Sequence, residues 1–506
     1  MSHALAVVHH RGVVVAALIA TVALVLGVVL LPPLVVGVLA LAASVIVIFR
    51  RALLNWTTVL FLLAGIIMFI PVRRYTLPID APVQLEPYRV VVVLLVAALA
   101  TALVTRPGMA RARVPFGVPI SVFVGSLLVT FLINLVPLTR SQPVEVSLGH
   151  LTQTFLLLSI ALVVRQLLTS ERLVMALLTF LVWAAVVVAF FAIVERFTRV
   201  NVFLLFGNVL PLVLLRDDSE SIRAGGARAY GSSQHPIALA VLLCMMIPIA
   251  IYLARYAAWP RHEVSRKLLY AAGVAVIVTG MLTTVSRTGV VVLAVMFAVV
   301  LVFRPILALT LALVAVPLAV LAAAVLPGLF DSVVGSFFDV DALLESQYAS
   351  PGFSGQGRLA DLDPAFAIIA QRPFFGTGPG SWIVVGENQT GFILDNQALS
   401  ALMEGGVVGL IGLLTLIFAP PIILLARVLR HRGDPRHALL GFALALSMLG
   451  YGAALFLHDS FAFLQTFMVF AILLAVGGWL IDERLTTRPP HADGRSALPL
   501  VSLARD

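Results

Sequence analysis

The sequence predicts an all-α polytopic membrane protein of about fourteen spanning helices (12 to 14), with a long extracytoplasmic loop. Three observations predict it. Of the 506 residues, 61% are hydrophobic and 11% charged, which is more apolar than soluble domains are. The apolar residues fall in runs near the length that a hydrocarbon core demands, roughly 20 residues per helix. Short polar breaks separate most of these runs, so each exit from the bilayer is followed by prompt re-entry.

In order, the runs cover 13–31, 34–49, 52–70, 90–104, 114–136, 151–164, 173–194, 236–254, 268–285, 290–303, 305–326, 398–426, 438–457 and 460–481. The first follows Arg11 as a signal peptide would, but the second begins almost at once with no cleavage context between them, so it reads as a retained helix. Cys244, the single cysteine, lies inside the eighth run. That excludes an intramolecular disulfide and leaves a packing role.

Charge sets the orientation. Thirty-two of the 33 basic residues are arginine, and the formal net charge is +9. In a soluble chain this would point to nucleic acid; here the distribution along the chain decides. With the N-terminus inside, 21 of the 33 fall in cytoplasmic segments, so the positive-inside rule places both termini in the cytoplasm. Two long connections, 196–235 and 327–397, then lie outside, and long loops between spans carry function. Within the first, the apolar stretch 200–215 is broken by Gly and Pro, which suits an interfacial or re-entrant segment. The tail 484–506, rich in Pro and Arg, reads as disordered.

The stretch "RPFFGTGPGSW", 372–382, looks at first like a phosphate cradle. It lacks the GxxxxGK[ST] pattern, and on the outer side it meets no cytosolic nucleotide. Gly376, Gly378 and Gly380 instead suit a tight turn near the bilayer. Three arginines stand beside glycine or small residues on the same side: Arg228 in "GGARAYGSSQHP", Arg287 in "TVSRTG" and Arg358 in "GQGRLADLDP". Arginine at the end of an apolar helix is costly unless it snorkels or meets an anion, and the anion at that height is a lipid phosphate or diphosphate. Guanidinium grips phosphate oxygens bidentately at any relevant pH. Such fixed cations stabilise a departing diphosphate without a metal, while a positioned carboxylate or imidazole takes the proton of the attacking hydroxyl. Asp395 is the best-placed base, at the start of the twelfth run, and would also serve as a helix cap. His235, Glu387 and His458 are alternatives. The pairs Asp339/Asp341 and Asp361/Asp363 could hold a divalent cation, but two aspartates one apart arise easily in an acidic loop. HExxH, CxxC and GxSxG patterns are absent.

At these residues the chain resembles the O-antigen ligase and O-antigen polymerase superfamily of bacterial membrane glycan-transferring proteins. "ARAYGSSQHPIALA", "TVSRTG" and "GRLADLDPAFAIIAQRPFFGTGPG" resemble its arginine and Pro-x-x-Gly-x-Gly segments. "DNQALSALMEGGVVG" resembles its His-[Asn/Ser/Gln]-x9-Gly-x-x-Gly motif through Asn396, Gly406 and Gly409, with Asp395 where ligases carry histidine. The resemblance covers about 227–410. It implies a class C glycosyltransferase-like fold in the bacterial cytoplasmic (inner) membrane. The implied partners are an undecaprenyl-(pyro)phosphate-linked glycan donor, a glycan or glycolipid acceptor and membrane lipids, with no nucleic acid, cofactor or metal. The implied reaction is an inverting transfer or polymerisation on the outer face. It casts Asp395, Arg228 and Arg287 as catalytic, and Arg358, Arg372, Asn396, His235, Gly376 and Gly378 as substrate-binding. The chain divides accordingly into N-terminal helices (1–195), a catalytic membrane region (196–483) and the tail. The rival class is a polytopic transporter or lipid flippase. Against it, the sequence shows no inverted repeat and its charges gather on one face.

Overall fold

The structure, a computed structural model, describes residues 55–483 apart from 80–83, 106–110, 137, 139–143, 216–221, 224–225, 326, 334–340, 342–343, 346–347, 349–358, 360, 383–393 and 431–432. The expected runs 13–31 and 34–49, the tail, Asp339, Arg358 and Glu387 therefore lie outside the described residues.

Each of the other twelve runs is a helix. They are α1 (Trp56–Phe69), α2 (Pro87–Thr105), α3 (Gly117–Ile133), α4 (Val144–Leu167), α5 (Glu171–Thr198), α6 (Pro236–Tyr256), α7 (Glu263–Thr283), α8 (Arg287–Phe303) and α9 (Pro305–Val325), then α12 (Gln397–Arg430), α13 (Pro435–Ala454) and α14 (Leu464–Glu483). Two short helices, α10 (Pro327–Val333) and α11 (Leu362–Gln371), occupy part of the second long connection. Among the described residues, seven helices are long and apolar enough to cross a membrane: α4 to α7 and α12 to α14. Helices overrun the apolar runs where caps extend them. Ser170 accepts from Leu173 N to start α5, and Asp434 accepts from Arg436 N before Pro435 to start α13.

The bundle is built around α6, which is buried along nearly its whole length and contacts α5, α7, α8, α13 and α14. With the surroundings as apolar as the helices, close backbone approach must replace the hydrophobic effect as the association force. Small residues supply it. A Cβ on Gly280 of α7 would lie 2.7 Å from Ala189 Cβ of α5, and one on Gly412 of α12 would collide with Ser126 of α3.

Successive helices alternate in direction, giving two unlike ends. One end carries charge pairs between helices, Arg165 to Asp482 at 3.3 Å and Arg436 to Glu171 at 3.0 Å, and one within α13, His437 to its N-cap Asp434 at 2.8 Å. The other carries 199–235, 372–396 and the α13–α14 turn. There the stretch expected to be interfacial forms a 3₁₀ helix (Val202–Asn208), and β1 (Tyr75–Thr76) pairs antiparallel with β2 (Val213–Leu214). A second ribbon, β3 (Ile222–Arg223) with β4 (Gly226–Ala227), precedes Arg228.

Candidate active site at the loop-bearing end

The segment 228–235 is laced across the ends of the bundle by its own polar groups. Glu195, near the end of α5, accepts from Tyr230 N (3.3 Å), Gly231 N (2.9 Å) and Asn201 Nδ2 (3.2 Å). Ser232 donates to Met68 O at 2.6 Å, and Ser233 Oγ donates to Gln465 Oε1 at 2.5 Å. Gln234 Oε1 accepts from Leu464 N, and its carbonyl accepts from Arg74, whose guanidinium lies 4.6 Å from the Tyr230 ring centre. Ala229 N donates to Thr283 O at 3.2 Å, fixing this segment to the end of α7.

That last contact brings two predicted arginines together. Arg228 Nε donates to Thr284 O at 3.0 Å, in the turn that leads directly into Arg287, the first residue of α8. Within this turn Val285 has φ 48, a left-handed conformation that a β-branched residue adopts only when its surroundings force it. Ser286, the N-cap, is buried with no hydrogen-bond partner for its Oγ. Two guanidiniums, a helix N-terminus and a free hydroxyl are the donor set that binds an anion.

The glycine-rich stretch has a different task. At Gly406 (φ 60, ψ −159) α12 breaks, leaving backbone groups without intrahelical partners. The chain at 373–378 supplies them. Thr377 N and Gly378 N donate to Met403 O and Glu404 O (3.1 and 2.8 Å), while Val407 N and Val408 N donate to Pro373 O and Phe374 O (2.9 and 3.1 Å). Irregular backbone inside an apolar bundle persists only when repaired in this way. The fit requires bare backbone on both sides. A Cβ on Gly376 (φ 59) would lie 2.5 Å from Glu404 O, and one on Gly406 would lie 2.5 Å from Phe374 O. Gly378 meets α3 as well, and Asn134 at the end of α3 accepts from Arg372 at 2.9 Å and donates to Phe375 O at 3.0 Å. The carboxylate of Glu404 accepts from the N–H groups of Gly380 and Trp382. The two glycine motifs of the sequence are thus halves of one joint.

Asp395 lies just before that helix. Asn396 Oδ1 accepts from Leu399 N at 3.0 Å and caps α12, and Gln397 is clasped by the α13–α14 turn: its N–H donates to Leu455 O and His458 O, and its Oε1 accepts from Phe461 N. The same turn reaches the arginine segment. His235 Nδ1 accepts from Ile237 N to cap α6, and its ring stacks on Phe463 at 5.2 Å, with His458 stacked on Phe463 at 5.6 Å. Asp395 and the Arg228 segment are therefore joined through residues 455–463. Asp361 is buried and Asp363 exposed, so this pair does not converge, and the described residues hold no group of three His, Cys, Asp or Glu able to ligate a metal.

Sequence reasoning missed Arg73, Arg74, Glu86, His150, Glu195, Glu404 and Asp459 in this layer. The signal was present as charged residues at the ends of apolar runs, several of them in the N-terminal half, where only generic helices were expected.

A multi-pass α-helical membrane protein with an arginine-bearing polar layer at one end is the class that this fold and site define. Residues 272–414, from α7 through the Arg287 turn to the break in α12, match the family described as O-antigen ligase. The similarity to that family lies in this segment, a little over a quarter of the chain. No curated protein matches the chain.

Proposed function

We propose that this protein transfers or polymerises glycan from an undecaprenyl-(pyro)phosphate-linked donor on the outer face of the bacterial cytoplasmic membrane, for assembly of cell-surface polysaccharide. The observation that carries the reading is the anchoring of Arg228 to the turn that leads into Arg287. The Arg228 guanidinium, held by the Thr284 carbonyl, and that of Arg287, at a helix N-terminus, would meet the diphosphate and offset the charge that grows on it as the glycosidic bond breaks. The acceptor hydroxyl attacks the anomeric carbon from the opposite side, which inverts it, and the diphosphate leaves with the bonding electrons. Asp395 stands in the base position for that hydroxyl's proton, with Arg372 and Arg358 on the glycan or head group.

The end opposite the loops holds Arg165, Arg255, Arg266, Lys267, Arg304, Arg427, Arg430 and Arg436, which supports a cytoplasmic placement for that end and for both termini. In this reading the shorter helices α1, α2, α3, α8 and α9 cross with the seven longer ones, and the runs 13–31 and 34–49 complete fourteen crossings of a class C-like fold.

The test uses the purified full chain in nanodiscs with a polyprenyl-diphosphate-linked oligosaccharide. Arg228→Ala and Arg287→Ala should each lower transfer at least a hundredfold while leaving insertion and melting unchanged, and EDTA should have no effect. Full transfer by either variant overturns the arginine clamp, and EDTA inhibition favours the Asp-x-Asp alternative. Movement of the labelled lipid across the bilayer with no covalent product would favour a flippase.

A further inference from the structure

A second polar cluster lies at the same end, built by elements outside the segment that matches the ligase family. Its parts are Arg73 on the α1–α2 connection, His150 in the first turns of α4 and Asp459 on the α13–α14 turn. The elements that carry them are tied together: Arg89, paired with the Glu86 that holds the Arg73 N–H, donates to Gln153 three residues from His150, and Gln465, just past the Asp459 turn, donates to Ile67 O near the end of α1; across this layer Arg73 and His150 both act on the Asp459 charge. Yet the Arg73 guanidinium and the His150 ring make no hydrogen bond with any described residue, and all three side chains are partly exposed. Asp459 uses only Oδ1, which accepts from Phe461 N (3.2 Å) and Ala462 N (3.0 Å), leaving Oδ2 open.

The cluster is rigidly held. Arg73 has φ 60, left-handed for a residue with a side chain, and its N–H donates to Glu86 Oε2 at 2.6 Å. Glu86 in turn pairs with Arg89 at 3.1 Å, and Arg89 donates to Gln153 Oε1 on α4. Strained backbone that is over-determined by its neighbours is a mark of functional sites.

Unlike the Arg228 turn, this cluster mixes carboxyl groups, Asp459 and the Glu86 that holds the Arg73 N–H, with its cations. An open carboxylate oxygen flanked by a guanidinium and an imidazole suits a neutral polyhydroxyl ligand, whose hydroxyls both donate and accept. The position also fits, because the α13–α14 turn that carries Asp459 clasps the start of α12 next to Asp395.

We propose that Arg73, His150 and Asp459 form the site that holds the acceptor sugar, with Asp459 Oδ2 accepting from one hydroxyl and Arg73 donating to a neighbouring one. The proposal rests on the transfer function above. Burial and the nearby Glu404 hold the Asp459 carboxyl up at about 6, against the pull of the Ala462 N–H, His150 and Arg73. Acceptor affinity therefore falls as pH drops below that value.

The experiment uses the full chain in nanodiscs, with two readouts. The first is binding of the free oligosaccharide, released by mild acid from polyprenyl-diphosphate-linked glycan, which needs no turnover. The second is steady-state transfer with acceptor and donor varied separately. Asp459→Asn and Arg73→Ala should weaken oligosaccharide binding and raise the acceptor KM at least tenfold, with donor KM and kcat within threefold of wild type. Asp459→Glu should restore part of the binding, and Asp459→Asn should remove its pH dependence near 6. Unchanged acceptor KM and binding in both variants overturns the site. A fall in kcat without a change in acceptor KM overturns it too, and would make Asp459 the proton acceptor. If wild-type protein binds the oligosaccharide but transfers nothing, the transfer function fails and the sugar site stands.

Discussion

Replacing Gly406 by alanine tests whether the glycine-rich stretch completes the broken helix. Gly406 sits at φ 60 and ψ −159, a region that is almost exclusively glycine's, where a side chain costs ~1–3 kcal/mol. Its Cβ would also lie 2.5 Å from Phe374 O and Phe375 N, which are backbone atoms that cannot rotate away; such overpacking costs ~1–3 kcal/mol. The remaining escape is for residues 373–378 to lift off, but that breaks four backbone hydrogen bonds with a net worth of ~1 kcal/mol each. Both routes cost about 4 kcal/mol, so neither is cheap. Gly405→Ala is the control: it is helical, its Cβ meets only Thr130 Cγ2 at 3.8 Å, and alanine favours helix by up to ~1 kcal/mol over glycine. In nanodiscs, Gly406→Ala should lower the apparent Tm by several degrees, speed proteolysis within 372–396 and reduce transfer, while Gly405→Ala should match wild type. If the two variants melt and cleave alike, the joint between the motifs carries no energy and the reasoning fails.

Three other outcomes are expected. Glu195→Gln puts an amide donor among three N–H groups that now point at acceptor oxygens, a loss of ~1–3 kcal/mol, and should loosen the Arg228 segment; hydrogen exchange at Tyr230 and Gly231 as slow as in wild type would contradict this. Asp459 is held near 6 in the folded state, above its unfolded value, so the folded chain binds the extra proton and this contribution is lost as pH rises from about 4 through 6; comparing the pH dependence of Tm with that of Asp459→Asn checks the sign. Cysteines placed at 228, 287 and 372 should react in intact cells with an impermeant maleimide, while native Cys244, buried between helices, should not; labelling of the three positions only after the cells are opened would reverse the proposed orientation.

Much of the fold was legible in the chain, because apolar run length is a one-dimensional property. All twelve expected runs that fall within the described residues are helices, and the runs erred mainly at ends such as Val144 and Glu263, where polar first turns extend helices beyond their apolar cores. The arginine motifs were legible for a similar reason, since a guanidinium at an apolar boundary is costly and therefore conspicuous. Arg228 bonds to the turn that leads into Arg287, although 58 residues separate the two and the contacts of Arg228 and Ala229 with Thr284 and Thr283 bring them there. Asn396 and His235 were singled out as ligand contacts, and the structure shows their side chains also engaged as helix caps.

By itself the sequence determined the membrane environment, the twelve apolar runs that are helices among the described residues and which residue types could meet an anion. It did not reveal that the Pro-x-x-Gly-x-Gly stretch and the Gly-x-x-Gly stretch are one object, because the four hydrogen bonds that join them pair residues 26 to 34 positions apart. Nor did it gather Arg73, His150 and Asp459, which come from three apolar-run boundaries spread across most of the chain. Charge and hydropathy are properties of single residues and show in the sequence, whereas a polar site in a helical bundle is made where helix ends meet, and only the packing of those helices decides which ends they are.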